Sequence, residues 1–392
     1  MKKMNFEHLV APVGIAGFFE KYWEKDFLHI KHYTGYFDNV LTIEDVDSFL
    51  SQQNLHPDGI RLVNNKQLVD VKEWTKTETL LAGNTKTIVS PKNVFDLFDQ
   101  GATIILNAAE KTIPRLAKAC IAIEQELKIR VQANIYITPP NSQGFAAHYD
   151  VHDIFTMQVK GPKTWRLYAA TEELPHTFNR IAEMPPLVKE IEMHSGDFLY
   201  IPRGVIHEAF SSLVSTIHVN FSCKPRYGFH VLERLAELAE QEDVFFRRAI
   251  PHGFSSNAER QEYEDQFREK LKELIEKINV GELIDFQKED MVNNQTLDFN
   301  GRLTDVLKVE ELNLNTKVCR RIGFEYSVNK HAKGFEIKFG QKKIVIPAFV
   351  ETDLFFGDTI FIVNDIKGLI TGDGKLTLVA KLIKDGFLQI VE

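Results

Sequence analysis

Along residues 130–138, RVQANIYIT, apolar and polar positions alternate without a break. Val131, Ala133, Ile135 and Ile137 fall on one face of a predicted strand, and Gln132, Asn134, Tyr136 and Thr138 on the other. The segment STIHVNFS repeats the split, with Ile217, Val219 and Phe221 opposing His218, Asn220 and Ser222. A solvated sheet face prefers Lys and Glu, whereas these two faces carry uncharged polar and aromatic side chains, which suits strands lining a wet internal pocket. Between them, DIFTMQV, TWRLYA and DFLYIP read as further short strands separated by Pro, Gly and Asn turns, so residues 129–223 are predicted to form a β core.

The flanks carry a different period. Residues 1–128 mix helical patterning (IEDVDSFLSQQN; NVFDLFDQGATIILNAAEKTIPRLAKACIAIEQEL) with short extended pieces such as FLHIKHY. From residue 226 to about 300 the chain reads as helical: Tyr263, Phe267, Leu271, Leu274, Ile275 and Ile278 recur every three or four residues among charged positions. Residues 303–392 combine short helices with the strands GFEIKF and KIVIP, and GKLTLVAKLIKDGFLQIVE reads as a helix followed by a terminal strand. Neither an internal repeat nor a low-complexity linker interrupts this order.

Composition narrows the function classes. The 392 residues are 44% hydrophobic and 26% charged, as in a soluble globular protein, and the formal net charge of −8 argues against general attraction to nucleic acid or anionic lipid. Cys120, Cys223 and Cys319 are widely spaced and odd in number, so neither a disulfide framework nor a thiolate zinc site is expected, and a reducing, cytoplasmic setting fits. Lys2 and Lys3 before the apolar run Leu9–Phe19 mimic a signal peptide, but Pro12 and Gly14 interrupt the run and Glu20 and Lys21 end it. No run of about 18 apolar residues occurs, so no membrane span is expected.

The candidate chemistry is concentrated in HYDVHDIF, where His148, Asp150, His152 and Asp153 crowd six positions. Side chains at i and i+2 of a strand project to one side about 6–7 Å apart, which suits two ligands of one metal ion. A third ligand must come from elsewhere, and His207, after the Pro-Arg-Gly turn in HSGDFLYIPRGVIHEAF, is the best source. Two histidines and a carboxylate on one face of an octahedral ion leave three positions open, the arrangement of non-heme iron(II) oxygenases. His152 shares the parity of His148 and Asp150 and rivals them, and His218 competes with His207 for the third place.

These segments carry a resemblance. The run NIYITPPNSQGFAAHYDVHDIFTMQVKGPKTWRLY, followed by GDFLYIPRGVIHEA and STIHVNFS, is similar to the Jumonji-C branch of the 2-oxoglutarate oxygenases, in particular its ribosomal-oxygenase (cupin-4) group. The resemblance implies an α+β fold: a double-stranded β-helix (cupin, jelly-roll) core with N-terminal helices in residues 1–225, a helical dimerisation region in 226–302 and a winged-helix-like domain in 303–392. It implies His148, Asp150 and His207 as the ligands of Fe(II), with His152 at the pocket wall, Asp153 structural, His218 lining the pocket as a core histidine and His194 exposed. Lys163 in GPKTW matches the cation that pairs with the distal carboxylate of 2-oxoglutarate, and Tyr136, Asn134, Ser222 and Asn220 carry over as its neighbours. The sequence departs from the group at Val151 and His152, where relatives often place another acidic residue, which bears on the substrate mouth.

The activity so implied consumes O2 and 2-oxoglutarate, releases succinate and CO2, and hydroxylates a histidine or arginine of a ribosomal protein. Two other readings stand beside it: a hydroxylase of a free amino acid or small peptide, and a catalytically silent cupin-like binding protein. Leu271, Leu274 and Ile278 are the candidate residues of a two-fold dimer. No basic stripe marks a recognition helix in the C-terminal segment, so direct DNA binding is not expected.

Overall fold

The alternating segments are neighbours in the computed structural model, which describes residues 4–391 other than 53, 80–82, 180, 252, 255, 296–298, 322 and 358; Lys2 and Lys3 lie outside the described residues. Arg130–Thr138 pairs antiparallel with Thr216–Lys224 along its whole length, placing Asn134 opposite Asn220 and Tyr136 opposite His218. The chain divides into two compact units, Met1–Lys224 and Pro225–Glu392.

The strands of the first unit are β1 (Leu28–Ile30), β2 (Ile60–Asn64), β3 (Gln67–Leu68), β4 (Thr75–Thr79), β5 (Thr85–Val89), β6 (Thr103–Leu106), β7 (Arg130–Thr138), β8 (Asp153–Lys160), β9 (Lys163–Tyr168), β10 (Leu187–Met193), β11 (Phe198–Ile201), β12 (Ile206–Ser211) and β13 (Thr216–Lys224). An eight-stranded sheet runs β1-β11-β8-β13-β7-β6-β2-β3, a three-stranded sheet runs β10-β9-β12, and β4 and β5 form a separate hairpin. Every pairing in the two larger sheets is antiparallel.

Parity decides what each face of the large sheet touches. Val131, Ala133, Ile135 and Ile137 of β7, Phe155 and Met157 of β8, Phe198 and Tyr200 of β11, and Val219 and Phe221 of β13 enter one hydrophobic core with Phe6, Phe18, Phe49, Leu116 and Ile123 of the N-terminal helices. Leu199 and Ile201, one residue out of phase on β11, pack instead with Trp165, Leu167, Ile191 and Met193 of the small sheet. The apolar face is therefore covered by helices, and the polar face looks toward the second sheet, which resolves the unusual composition of the alternating strands.

The helices covering the sheet are locally specified. Ile43–Leu50 begins at a reciprocal capping box: the Asp45 amide donates to the Thr42 hydroxyl at 3.2 Å, and the Thr42 amide donates to the Asp45 carboxylate at 3.0 Å. The long helical reading of residues 93–127 is corrected, because the chain forms a helix over Pro91–Asp99, strand β6, a short turn and a second helix over Pro114–Leu127. The four residues TIIL are buried in sheet pairing with β2 and β7, and an apolar run that short carries no period separating strand from helix.

Two buried carboxyls complete the sheet edge. β6 reaches only Ile135–Ile137 of β7, and beyond its end the amides of Val131 and Ala133 donate to Glu124 and Glu110, each at 2.9 Å. Burial raises both carboxyl pKa values. Each carboxyl takes an amide that would otherwise be buried without an acceptor, an omission that costs about 1–3 kcal/mol.

In the second unit, helices Gly228–Glu242, Asn257–Lys277 and Val280–Asn294 precede strands Lys317–Arg320, Ser327–His331, Gly334–Phe339, Lys342–Pro347, Phe361–Ile362 and Leu388–Ile390. Helix Gly372–Asp385 ends at Gly386, whose φ of +89° supplies the left-handed residue that stops the helix, and the terminal strand follows as the sequence predicts. Val379, Leu382 and Ile383 of that helix pack on Val318, Phe339 and Phe387. Leu274, expected at a dimer face, is buried within this unit, whereas Leu271 and Ile275 are exposed. No helix among the described residues is long and apolar enough to cross a membrane.

Candidate functional site

His148 and Asp150 lie in the connection between β7 and β8, not on a strand as their spacing predicts. Backbone pairing with a distant segment holds them instead: the His148 amide donates to the His207 carbonyl at 3.1 Å, and the His207 amide donates to the His148 carbonyl at 2.7 Å. The Gly204 amide donates to the Asp150 carbonyl at 3.0 Å, from a turn that only glycine suits, since its φ is +86° and a Cβ there would sit 2.6 Å from Pro175. His207 itself is the second residue of β12, a strand absent from the sequence reading.

The three side chains converge. Ligand atoms of His148, Asp150 and His207 all lie within 4.8 Å of one another, and Nε2 of His207 is 3.6 Å from Oδ2 of Asp150. Each imidazole is anchored through its other nitrogen: Nδ1 of His148 lies 2.8 Å from the Ala146 carbonyl, and Nδ1 of His207 lies 3.0 Å from the Val205 carbonyl. A carbonyl only accepts, so both Nδ1 atoms carry a proton, and in a neutral ring that leaves the lone pair on Nε2, the tautomer a metal ligand needs. Burial, with His148 adding to it, pushes His207 down to about 4, which keeps its ring neutral. Two imidazoles and one carboxylate suit a borderline divalent ion such as Fe(II).

Beside this cluster a small cavity is lined by Tyr136 and Thr138 of β7, Lys163 and Trp165 of β9, His218 and Asn220 of β13, and Thr103 of β6. Lys163 is 3% exposed and donates to the Thr138 hydroxyl at 2.9 Å. Burial pushes its amino group down to about 7. Tyr136 is pushed up to about 12, chiefly by burial, so its hydroxyl stays protonated and able to donate. Among the described lining residues Lys163 is the one ammonium or guanidinium, and it faces the same cavity as the His-Asp-His cluster.

The remaining candidates divide. Asn220 lines the cavity and accepts from Thr156 at 2.8 Å. Asn134 and Ser222 share its sheet face but are not among the lining residues, and the Asn134 side-chain Oδ1 accepts from the Ala108 amide at 3.0 Å. His152 is half-buried with its pKa lowered by burial, and it belongs to neither the cluster nor the cavity lining. Asp153 is fully buried and accepts from the Tyr200 hydroxyl at 2.6 Å in the helix-covered core, while His194 stands in solvent. Thr103 and Trp165 were missed; Thr103 lies on the strand that the helical pattern conceals, and Trp165 carries no signal in sequence.

Residues 106–228, which contain the cluster and most of the cavity lining, match the JmjC domain family. This part of the chain is a JmjC domain. Relatives include the bifunctional lysine-specific demethylase and histidyl-hydroxylase NO66 of Drosophila persimilis, 30% identical over 248 residues, and ribosomal oxygenase 1 of Homo sapiens, 30% identical over 267 residues. The matches cover 62% and 64% of this chain but only 35% and 40% of those relatives' own lengths. The fold is similar to that of YcfD, a ribosomal oxygenase from Escherichia coli, in its complex with cobalt and 2-oxoglutarate, with a TM-score of 0.55 at 14% identity over 96% of this chain and 98% of that one. At that identity the likeness shows the fold, a JmjC core within an α+β chain.

Proposed function

We propose that the protein is an Fe(II)- and 2-oxoglutarate-dependent oxygenase that hydroxylates a histidine or arginine side chain of a ribosomal protein. The observation that carries this reading is the juxtaposition of two oriented histidines and Asp150 with a buried lysine in one cavity. His148, Asp150 and His207 would hold the metal, and Lys163, with Tyr136 and Asn220, would hold the cosubstrate's distal carboxylate. Asn134 and Ser222 complete the candidate contacts from the same sheet face. When bound, the iron with 2-oxoglutarate and O2 supplies the oxidising power that places one oxygen atom on a substrate C–H bond, releasing succinate and CO2.

The chain's own residues contribute orientation and charge. The Ala146 and Val205 carbonyls fix the ligand rings, the neutral His207 stays available as a ligand, and Trp165 and Phe145 give the cavity beside the cluster apolar walls. The names of the relatives support a protein substrate over a free amino acid. To test this, the iron-loaded enzyme is incubated with 2-oxoglutarate, air and a ribosomal-protein fraction, and the proteins are weighed by mass spectrometry. The expected result is a gain of one oxygen atom on a histidine or arginine of one protein. Turnover with no such gain would replace the protein substrate by a small one.

Homodimerisation through the helical region belongs to the same proposal. Its support is the exposed apolar pair Leu271 and Ile275 on helix Asn257–Lys277, while the other candidates, buried Leu274 and half-buried Ile278, line a cavity of the same unit. Light scattering at micromolar concentration should return twice the chain mass, and a single-chain mass would remove the dimer. The three free buried thiols support a reducing, cytoplasmic setting.

A further inference from the structure

His218 is 2% exposed and sits directly across from Tyr136 in the β7–β13 ladder, so its ring is fixed by sheet register and not by rotamer choice alone. The two rings stack with centroids 4.7 Å apart and planes 6° from parallel, and Trp165 meets His218 in a T-shaped contact at 5.4 Å and 80°. Its Nδ1 lies 3.4 Å from Nζ of Lys163. An ammonium has three N–H donors and no acceptor: one goes to the Thr138 hydroxyl, one reaches Nδ1 of His218, and one is left to face the cavity. A core histidine serving only to fill space needs none of this, and an apolar side chain would avoid burying an imidazole beside a charge.

Resting on the function proposed above, we infer that His218 is a positioning residue for the cosubstrate: its unprotonated Nδ1 aims the Lys163 ammonium, and its ring backs Tyr136, so that both meet one carboxylate. With Lys163 charged, as it is when it pairs with a carboxylate, the geometry requires a neutral His218 protonated at Nε2, because a protonated Nδ1 would point a donor at a donor. Burial first, and then the charge of Lys163, lower the pKa of His218 well below the ordinary imidazole value and hold it in that state. Trp165 also packs against His207, with centroids 5.9 Å apart, so one indole touches both His218 and a candidate metal ligand.

The test compares two keto acids on Zn(II)-loaded enzyme by calorimetry: 2-oxoglutarate, and 2-oxobutyrate, which has the same chelating end but no distal carboxylate. His218→Phe keeps the aromatic stack and removes the acceptor; it is expected to bind 2-oxoglutarate about tenfold more weakly, the size of one charge-assisted hydrogen bond, with 2-oxobutyrate unchanged. His218→Asn, which offers an oxygen near the Nδ1 position, should recover most of the loss. Equal weakening of both ligands, or no weakening of either, would overturn the positioning role while leaving the function intact. Native enzyme that binds neither keto acid would remove the proposed function and this inference together. Imidazole nitrogen shifts of native enzyme bound to 2-oxoglutarate give an independent readout: the Nε2–H tautomer is expected, and an Nδ1–H tautomer of His218 overturns the inference even where a variant fails to fold.

Discussion

Asp150→Ala is expected to abolish succinate formation and to weaken divalent metal binding by more than about a hundredfold, beyond the 10–100-fold typical of losing a group that merely orients a ligand. Asp150 supplies the only carboxylate among the three converging side chains, so its loss leaves two neutral donors that cannot offset the charge of the ion. The fold should survive. The Asp150 side chain is 28% exposed and its backbone carbonyl still receives the Gly204 amide, so the change in unfolding free energy should stay within about 0.5 kcal/mol. Titration of Co(II) into native and variant protein, beside urea unfolding of the metal-free forms, checks both halves. A variant that binds metal normally would remove Asp150 from the metal site.

Lys163→Met is expected to act in two opposite directions. In the ligand-free protein the Lys163 ammonium is buried at 3% exposure with a hydroxyl and an imidazole for company and no carboxylate, and burial pushes it from its ordinary 10.5 to about 7. Between about pH 7 and pH 10.5 the unfolded chain therefore binds the proton that the folded chain has released, so this residue makes stability rise with pH across that window. Its cost is full below pH 7. Methionine carries no such cost, so the ligand-free variant should be more stable than native at neutral pH, by about 2–4 kcal/mol, and should lose the upward slope above pH 7. The same change leaves the distal carboxylate of 2-oxoglutarate without its counter-charge, and affinity should fall about a hundredfold or more. Thermal melts with and without 2-oxoglutarate at pH 6, 7 and 9 read both effects. A variant less stable at every pH, or one still stabilised by 2-oxoglutarate as native is, would contradict the assignment.

Some elements of the fold are legible in the sequence and others are not, for physical reasons. Strands β7 and β13 were legible because each buries both faces in different ways, one against helices and one around a pocket, and a period of two records that directly. His148, Asp150 and His207 are singled out by residue type and spacing and do converge, but not through the strand geometry expected of them. They meet through a pair of backbone hydrogen bonds between segments 59 residues apart and a glycine turn, and no local period encodes such contacts. Strand β10, LVKEIEM, is mostly exposed and highly charged, and β12, IHEAFS, does not alternate, so neither announced itself. No local pattern marks Glu110 and Glu124 as buried, and the end of β6, which leaves two β7 amides without a strand partner, explains why they turn inward.

The most direct test of the account is conversion of 2-oxoglutarate to succinate by protein loaded anaerobically with Fe(II) and then exposed to O2, measured for native enzyme and Asp150→Ala side by side. The account predicts succinate that requires both the metal and O2 in the native protein and none above background in the variant. Equal conversion by the two proteins, or none by a native protein shown to bind both metal and 2-oxoglutarate, would contradict it.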